Sequence, residues 1–215
     1  MTLDAPGLRE RKKQQTRRLI AETARGLFAE RGFDAVTVGE VARAADVSEK
    51  TVFNYFPTKE DLFYSGMEAF EERLLGAVRE REPGETVLAA FRQFLLQPQG
   101  VFALDDGAEA DAQLRTVTRV ITESPALLAR ERQVLARYTD ALAELLAEET
   151  GVDADDLEPR AAAHALIGVH RSLIEYVRRR VAAGATAAEI GSELQEQARR
   201  ALGLVERGLG EYAPR

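Results

Sequence analysis

The sequence predicts an all-α protein with about nine helices. Apolar residues recur at helical spacing in successive segments, residues that favour helix starts and stops bound those segments, and no stretch alternates convincingly as a β-strand. Its 215 residues allow one large or two small domains with a real core. We expect a disordered tail over residues 1–8, a three-helix domain over 9–63 and a larger helical domain over 64–215.

The expected helix boundaries follow from capping and breaking residues. Gly32 is a good C-cap for the first helix, Pro57 forbids continuation of the third, and Ser124-Pro125 gives the seventh an N-cap followed by Pro. The predicted helices span about 9–31, 38–45, 49–56, 58–81, 85–96, 108–122, 125–150, 160–183 and 186–210. The fourth is expected to be continuous, to begin beside the N-terminal domain and to end in the next, which makes it the obvious mechanical link.

Residues 37–56, TVGEVARAADVSEKTVFNYF, have the pattern of two short helices joined by a tight turn. Thr37 and Glu40, three residues apart, predict a capping box at the start of the first, and Ser48 is the expected cap of the second. A turn of this kind commonly needs a residue with positive φ, and Asp is one of the few types besides Gly that tolerate it. We therefore predict a helix-turn-helix in which Asp46 has left-handed backbone geometry.

The second short helix has an apolar side and a polar side. Its inward positions are expected to be Val52, Phe53 and Phe56, and its outward positions Glu49, Lys50, Thr51, Asn54 and Tyr55. Donors, acceptors and one methyl group then project from its N-terminal half, the half that enters the major groove when a helix-turn-helix docks on DNA. From these residues alone, an ordinary helical hairpin with a hydrated polar face is the alternative.

From Arg17 to Phe63 the sequence resembles the TetR family of bacterial one-component regulators. The resemblance rests on three segments at fixed mutual spacing: LIAETARGLFAERGF (Leu19–Phe33), the helix-turn-helix segment above, and PTKEDLF (Pro57–Phe63). The family usually has Gly where this chain has Asp46. The resemblance implies a ligand-responsive transcriptional regulator that binds a pseudo-palindromic operator in double-stranded DNA as a homodimer. Members of the family are usually repressors, so repression is expected.

The resemblance also implies which side chains touch DNA. Thr37, Tyr55 and Lys59 match family positions that contact phosphates, and the polar residues of the second short helix are candidates for base edges. With the capping residue Ser48, the predicted DNA-binding set is Thr37, Ser48, Glu49, Lys50, Thr51, Asn54, Tyr55 and Lys59. Phe53 stands where the family often has Tyr, so a hydroxyl contact from that position is lost.

The net charge of −7 is unevenly distributed. Residues 1–65 carry 11 Lys and Arg against 10 Asp and Glu, and the remaining residues carry 18 against 26. The basic residues of the first part cluster at Arg9, Arg11, Lys12, Lys13, Arg17 and Arg18. An acidic body with one basic end would orient toward a phosphate backbone. The alternative is a solvated basic start to the first helix, although cations are unfavourable at a helix N-terminus.

Several functional classes have no support in the sequence. Cysteine is absent, which excludes disulfides and thiolate chemistry, and there is no Gly-rich phosphate loop or nucleophile elbow. His164 and His170 are six residues apart on a predicted helix and point in different directions, so a shared metal is not expected. Acidic clusters at 105–111 and 153–158 lack the pattern of a calcium loop and indicate solvated loop charge. We predict no enzyme activity, no catalytic residue, no metal and no cofactor.

No apolar run follows the N-terminal charges. The least charged span, residues 86–104, is interrupted by Arg92, Pro98 and Gly100. We therefore expect a cytoplasmic protein that is not exported and does not bind or cross a membrane.

The last two predicted helices have broad apolar faces. These faces are Leu166, Val169, Leu173, Ile174, Val177 and Val181 on one helix and Ile190, Leu194, Ala198, Ala201, Leu202 and Val205 on the other. One interpretation is that they close the core of the monomer itself. The family resemblance implies the other interpretation, a homodimer in which two such helices from each subunit form a four-helix bundle.

Aromatic and polar residues of the C-terminal domain are candidates for a largely apolar effector cavity with a few polar anchors. They are Phe91, Phe94, Phe102, Arg115, Arg119, Tyr138, His164, His170 and Tyr176. Each could equally be an ordinary core residue. The segment Leu114–Gly151 loosely resembles the C-terminal domains of an actinobacterial TetR subgroup associated with acyl-CoA-like ligands, which implies that Arg115 or Arg119 meets an anionic or carbonyl group.

The sequence thus predicts that a small, largely apolar effector releases the regulator from its operator by moving the fourth helix. The alternative is a helical small-molecule-binding protein or enzyme without sequence-specific DNA binding. Salt-dependent affinity for DNA discriminates between the two.

Overall fold

The computed structural model describes residues 8–65, 67–104, 107–153 and 155–209, and over these residues the chain is helical with no β-strand. The described helices are α1 (Leu8–Arg31), α2 (Val38–Ala44), α3 (Glu49–Tyr55), α4 (Lys59–Phe63), α5 (Met67–Arg79), α6 (Val87–Leu96), a one-turn 3₁₀ helix (Gly100–Ala103), α7 (Gly107–Thr122), α8 (Pro125–Thr150), α9 (Leu157–Ala182) and α10 (Ala187–Leu209). The all-α prediction is confirmed. The tail predicted over residues 1–8 lies outside the described residues except for Leu8, with which α1 begins.

The chain folds into two compact units. The N-terminal unit contains the residues up to Met67 together with Arg119–Leu128, and the C-terminal unit contains Glu68–Thr118 and the chain from Ala129 onward. The segment Arg119–Leu128, which we call the α7–α8 corner, is the end of α7 and the start of α8. Each of these two helices therefore contributes residues to both units. The predicted domain boundary between residues 63 and 64 does not account for this, because it assigns both helices to the second domain.

One hydrophobic core holds the N-terminal unit together. Helices α2 and α3 have seven residues each, too few to be stable alone in water. They are stabilised by burying apolar side chains against α1, α4 and the α7–α8 corner. The buried members of this core are Ile20, Ala21, Ala24, Phe28, Phe33, Val36, Val41, Ala42, Ala45, Val52, Phe56, Leu62, Val120, Ile121 and Leu127.

The turn between α2 and α3 is a Schellman motif. The N–H of Val47 donates to the carbonyl of Ala42 at 2.9 Å, and the N–H of Asp46 donates to that of Arg43 at 3.2 Å. Asp46 has a φ of 53°, a positive value that no other non-glycine residue in the described part of the chain shows. The predicted left-handed geometry is confirmed, and it costs an L-residue about 1 kcal/mol relative to glycine.

The prediction of one continuous fourth helix is wrong. Helix α4 ends at Phe63, Tyr64 is its C-cap with a φ of −83° and a ψ of 16°, and α5 begins at Met67. The hydroxyl of Tyr64 donates to the carbonyl of Leu127 at 3.0 Å, which holds this residue against the α7–α8 corner.

Besides the bond from Tyr64, two polar contacts fasten the α7–α8 corner to the rest of the N-terminal unit. Arg119 Nη2 donates to the carbonyl of Ala29 in α1 at 2.6 Å. Ser124 Oγ, which is buried at the N-terminus of α8, donates to Asp34 Oδ1 at 2.8 Å. Together with its three buried apolar residues, these bonds make the corner a structural part of the N-terminal unit.

In the C-terminal unit, α6, α9 and α10 pack against one another. The connection between α9 and α10 turns at Gly184, which has a φ of 84°. Many of the apolar residues predicted on the last two helices are buried within the protomer, among them Leu166, Val169, Leu173, Ile190, Ala198 and Leu202. Closure of the protomer's own core therefore accounts for these six residues, and the other six predicted face residues are only partly buried.

Helix α9 begins at Leu157, earlier than the predicted start at about Arg160. Asp156 caps the helix by accepting a hydrogen bond from the N–H of Glu158 at 2.9 Å. Pro159 occupies the third position, where a backbone N–H has no intrahelical acceptor and Pro is therefore tolerated. The predicted start at about Arg160 left this proline in the preceding loop.

None of the described helices combines the length with the apolar character that crossing a lipid bilayer requires.

Substitution of Asp46 tests the geometry of the turn. Asp46→Ala keeps a Cβ in the left-handed region and Asp46→Gly removes it. We expect the glycine variant to exceed the alanine variant in free energy of unfolding by about 1 kcal/mol, measured by urea denaturation. At Ala44, inside α2, the same comparison should have the opposite sign, because Ala44→Gly costs about 1 kcal/mol in a helix. Equal stability of the two Asp46 variants would contradict the left-handed turn.

Candidate nucleic-acid interface

Three side chains fix the start of α2. The N–H and the hydroxyl of Thr37 donate to Glu40 Oε2 at 2.8 and 2.9 Å, and the N–H of Glu40 donates back to Thr37 Oγ1 at 3.2 Å. Arg31, the last residue of α1, pairs with Glu40 Oε1 at 2.8 Å. The predicted capping box is confirmed. The hydrogen bonds from Thr37 and Arg31 lower the pKa of the Glu40 carboxyl to about 2.

The start of α3 is fixed by its own cap. Ser48 Oγ accepts a hydrogen bond from the N–H of Thr51 at 3.1 Å, which confirms Ser48 as the N-cap, and it lies 2.8 Å from Thr51 Oγ1. The Thr51 hydroxyl therefore already has a partner within the helix. Ser48 is exposed and Thr51 is partly exposed, so both remain accessible from outside.

The outward face of α3 carries Lys50, Phe53 and Asn54. All three are exposed, whereas Val52 and Phe56 are each 1% exposed and belong to the N-terminal core. The inward position predicted for Phe53 is wrong, because 48% of this residue is exposed. Val52 and Phe56, four residues apart, share the inward stripe of the helix, and Phe53 lies about 100° around the axis from Val52. The predicted polar face therefore includes one large aromatic ring.

Glu49 lies close to α2. A Cβ placed on Gly39 would be only 2.6 Å from Glu49 Oε1, so the carboxylate occupies the space beside the glycine backbone. Of the residues predicted to meet base edges, Glu49 is thus the one that packs against the neighbouring helix. This contact depends on how α2 and α3 cross, so no local sequence pattern indicates it.

Lys59 is engaged within the N-terminal unit. Its Nζ donates to the carbonyl of Phe33 at 2.6 Å and lies 4.1 Å from the centre of the Phe33 ring. Burial of the ammonium group lowers the pKa of Lys59, although the nearby carboxylates oppose this. Lys59 therefore holds the start of α4 against the segment after α1.

Tyr55, predicted to contact phosphate, is partly buried and packs against the N-terminal core. The described side chains of the basic cluster near the start of α1 divide into two groups. Arg11, Lys12, Lys13 and Arg18 are exposed, whereas the Arg17 guanidinium lies 5.3 Å from the centre of the Phe56 ring. The exposed members leave a basic surface on α1 in the same unit as α3.

The C-terminal unit contains a cavity of about 220 Å³. It is lined by Phe70 of α5, Leu95 and Leu96 of α6, Gln97, Pro98 and Gln99 after α6, Phe102 of the 3₁₀ helix, His170, Leu173, Ile174 and Val177 of α9, and Leu194, Gln195 and Ala198 of α10. The described lining is mainly apolar, and none of its residues is acidic, a lysine or an arginine. Within the described part of the chain, no group of acidic or histidine side chains is arranged to hold a metal ion.

Two family models match this chain. The model described as "Bacterial regulatory proteins, tetR family" matches residues 20–65, which contain the helix-turn-helix. The model of the "MftR C-terminal domain" matches residues 85–210, more than half of the chain. The chain belongs to the TetR family. The resemblance identified in the sequence is therefore confirmed.

Similar proteins agree with this assignment. The HTH-type transcriptional regulator TcmR of Streptomyces glaucescens is 34% identical over 160 residues, which cover 72% of this TetR-family chain and 69% of TcmR. The putative mycofactocin biosynthesis transcriptional regulator MftR of Mycobacterium tuberculosis is 28% identical over 166 residues, which cover 77% of this chain and 81% of MftR. TetR-family proteins are DNA-binding transcriptional regulators, typically repressors.

The fold is also similar to a solved structure of a regulator. NalD, the secondary repressor of the MexAB-OprM multidrug efflux pump in Pseudomonas aeruginosa, has a TM-score of 0.54 and 20% sequence identity, and the match covers 87% of this chain and 97% of NalD. At this identity the similarity shows the fold alone, with its N-terminal helix-turn-helix.

The predicted effector residues of this TetR-family chain do not all line one cavity. Phe102 and His170 line the cavity described above, and Phe94 lines a second, polar groove beside α5 and α6. Phe91 and Tyr138 are buried in the core of the C-terminal unit. Core aromatics and cavity aromatics both occupy apolar helical positions, so the sequence pattern does not distinguish them.

The remaining predicted effector residues have other partners or surroundings. Arg115 is exposed and lies 3.8 Å from Asp111, and Arg119 belongs to the α7–α8 corner. His164 is exposed, and the hydroxyl of Tyr176 donates to Glu193 at 2.6 Å. The cavity is instead lined by side chains of α9 and α10 that were predicted to belong to the apolar faces of these helices. Their helical spacing indicates that they are covered, but it does not show whether the protomer core, a dimer partner or a ligand covers them.

The low pKa of Glu40 predicts how acid affects the N-terminal unit. Because the pKa of about 2 in the folded protein lies below the ordinary glutamate pKa of 4.5, the ionised carboxylate stabilises the fold fully above about pH 5, and this stabilisation is lost as the pH falls toward 2. Glu40→Gln keeps a residue suited to the capping box but removes the charge. The difference in Tm between wild type and Glu40→Gln should be constant at neutral pH and should shrink as the pH falls below about 4.5.

Glu22→Gln, an exposed substitution in α1, is the control for this measurement. A Tm difference for Glu40→Gln that stays the same from neutral pH down to the acid limit of folding would contradict the assigned role of the Glu40 charge.

Proposed function

We propose that this protein is a ligand-responsive transcriptional repressor that binds a pseudo-palindromic operator as a homodimer and is released by a small, largely apolar effector. The observation that carries the proposal is the exposed face of α3. Two buried residues, Val52 and Phe56, fix the inward side of this helix, and Lys50 and Asn54 remain exposed on the other side. Because such a protein acts on chromosomal DNA, we place it in the bacterial cytoplasm.

The interface divides into positioning and reading contacts. Thr37 and Ser48 lie at the N-termini of α2 and α3, where backbone N–H groups favour phosphate, and Tyr55 is the third proposed phosphate contact. Lys59 can add a phosphate contact only through an N–H that is not bound to the carbonyl of Phe33. The exposed basic residues of α1 supply sequence-independent attraction to the DNA backbone.

Lys50 and Asn54 are the main proposed readers of base edges, Lys toward guanine and Asn toward adenine. Thr51 and Glu49 are secondary, because the Thr51 hydroxyl pairs with Ser48 and the Glu49 carboxylate lies beside Gly39. The exposed ring of Phe53 adds an apolar group that suits the methyl group of thymine.

The proposed dimer uses the outward sides of α9 and α10. A Cβ at Gly168 or at Gly203 would have no neighbour within 4 Å in the protomer, so these positions leave room for the close approach of another helix. Leu204, beside Gly203, is 65% exposed. A two-fold axis through this surface would present two copies of α3 to half-sites separated by whole turns of DNA.

The proposed effector signal travels along α7. Phe102, which lines the cavity, packs in a cluster with Ala110 and Leu114 of α7. The other end of α7 is the start of the α7–α8 corner, where Arg119 holds the carbonyl of Ala29. This unbroken helix replaces the interrupted α4 and α5 as the proposed link. The effector must prefer the state released from DNA, by about 5.5 kcal/mol for a shift from 1:99 to 99:1.

Selection of DNA fragments by the purified full chain tests the proposal. We expect wild type to select inverted repeats with half-site centres about one helical turn apart. Lys50→Ala or Asn54→Ala should change which bases are selected and should weaken binding to the wild-type sequence by about 1–3 kcal/mol. Lys12→Ala, the matched control on α1, should weaken binding to all sequences and reduce the salt slope by about 1.

Three results would count against the proposal. An absence of salt-dependent affinity for DNA would favour the alternative of a helical small-molecule-binding protein or enzyme. Selection of single half-sites would contradict the dimer. Identical effects of Lys50→Ala and Lys12→Ala on every sequence would contradict the division between reading and positioning.

A further inference from the structure

We propose that the 220 Å³ cavity of the C-terminal unit binds an uncharged, mainly apolar molecule of one or two rings, with His170 as its principal polar contact. This inference rests on the proposed ligand response and specifies the chemical class of the ligand. It is carried by three features: the size of the cavity, the absence of charge in its lining and the hydrogen-bonding capacity of His170.

The size of the cavity limits the ligand. An apolar protein cavity of about 150 Å³ is large enough to bind benzene. A volume of about 220 Å³ therefore suits one ring with substituents or two fused rings. Side chains of Phe70, Phe102, Leu173, Ile174, Val177 and Leu194 supply the apolar walls. Apolar walls on α5, α9, α10 and the 3₁₀ helix favour a ligand that buries hydrocarbon on several sides.

The charge of the lining limits the ligand further. Among the lining residues that the structure describes there is no acidic residue, lysine or arginine, so a carboxylate or phosphate that entered would lose its hydration without gaining an opposite charge from them. The acyl-CoA-like ligand implied by the sequence resemblance would fit only through its hydrocarbon part. Its phosphates would have to remain outside the cavity.

Two polar residues in the lining already have partners. Gln99 Nε2 donates to the carbonyl of Phe94 at 3.0 Å, and Gln99 Oε1 accepts a hydrogen bond from Arg73 at 3.2 Å. Gln195 Oε1 accepts one from Arg199 at 3.4 Å. A third polar residue, Gln97, is exposed to solvent. These glutamines are thus tied to neighbouring groups or open to water.

His170 differs from these glutamines. Its ring stacks on Phe70, with centroids 5.0 Å apart and planes inclined by 19°, and neither ring nitrogen has a hydrogen-bonding partner among the residues that the structure describes. Burial lowers the pKa of His170 to about 4, so the imidazole is neutral at pH 7 and offers one donor and one acceptor. A hydroxyl or carbonyl group on the ligand would satisfy it without introducing charge.

Three two-ring probes of matched shape test this assignment: naphthalene, 2-naphthol and 2-naphthoate. Their affinities for the purified full chain are measured at pH 7 by calorimetry or fluorescence. We expect wild type to bind 2-naphthol about three- to tenfold more tightly than naphthalene, because of the hydrogen bond, and to bind 2-naphthoate more weakly than either. This comparison needs no variant.

Two variants locate the site. His170→Phe keeps the aromatic stack and should reduce the affinity for 2-naphthol to that for naphthalene, with little change in naphthalene binding. Ala198→Phe fills the cavity and should abolish binding of both neutral probes. Far-ultraviolet circular dichroism confirms that each variant is folded.

Wild type that binds 2-naphthoate as tightly as 2-naphthol would overturn the inference, as would an unchanged affinity for 2-naphthol in His170→Phe. If wild type binds DNA selectively but binds none of the probes, the inference is overturned and the proposed function stands. Probe binding as expected, without any salt-dependent binding of DNA, would support the ligand class and overturn the proposed function instead.

Discussion

The structure of the N-terminal unit depends on the burial of Val52 and Phe56 beneath a seven-residue helix. Each side chain is 1% exposed, and burial of this kind contributes about 2 kcal/mol per residue. A helix as short as α3 has no independent stability, so these contacts determine both that it forms and which side faces outward. The Schellman turn at Asp46 fixes the direction from which the helix starts. A left-handed backbone in a non-glycine residue persists here because the core on both sides of the turn over-determines it.

The same core connects α3 to the rest of the chain. The α7–α8 corner inserts Val120, Ile121 and Leu127 into the N-terminal core and adds the bond from Arg119 to the carbonyl of Ala29. Because α7 and α8 are unbroken helices that also belong to the C-terminal unit, a displacement of either would act on the core that supports α3. In contrast, the connection after α4 is interrupted at Tyr64. These observations favour α7 over the α4 segment as the element that would carry the proposed ligand response.

Local chemistry made several features predictable from the sequence. The capping box at Thr37, the cap at Ser48 and the positive φ at Asp46 depend on residues within a few positions of one another, and all three are confirmed. The end of α4 at Tyr64 was not predictable, because the bond from its hydroxyl to Leu127 joins residues far apart in the sequence. The exposure of Phe53 was missed for a similar reason, since apolar character alone does not show which side of a short helix its neighbours cover.

The cavity was the least predictable feature. Leu173, Val177 and Leu194 have the spacing of core residues, and only the packing of α9 and α10 leaves space beside them. His170 was among the nine effector candidates, but the sequence offered no reason to rank it above His164, which the structure places on the surface. Burial and the stack on Phe70 make that distinction, and both arise from tertiary structure.

We propose that α3, held by Val52 and Phe56, presents its outward face to DNA. Amide chemical shifts of the labelled full chain, recorded by nuclear magnetic resonance during titration with a selected DNA fragment, test this most directly. If α3 binds DNA with this face, the largest shift changes fall on Ser48 to Asn54 and at the start of α2. Tight DNA binding that leaves the α3 amides unchanged and perturbs another surface would contradict it.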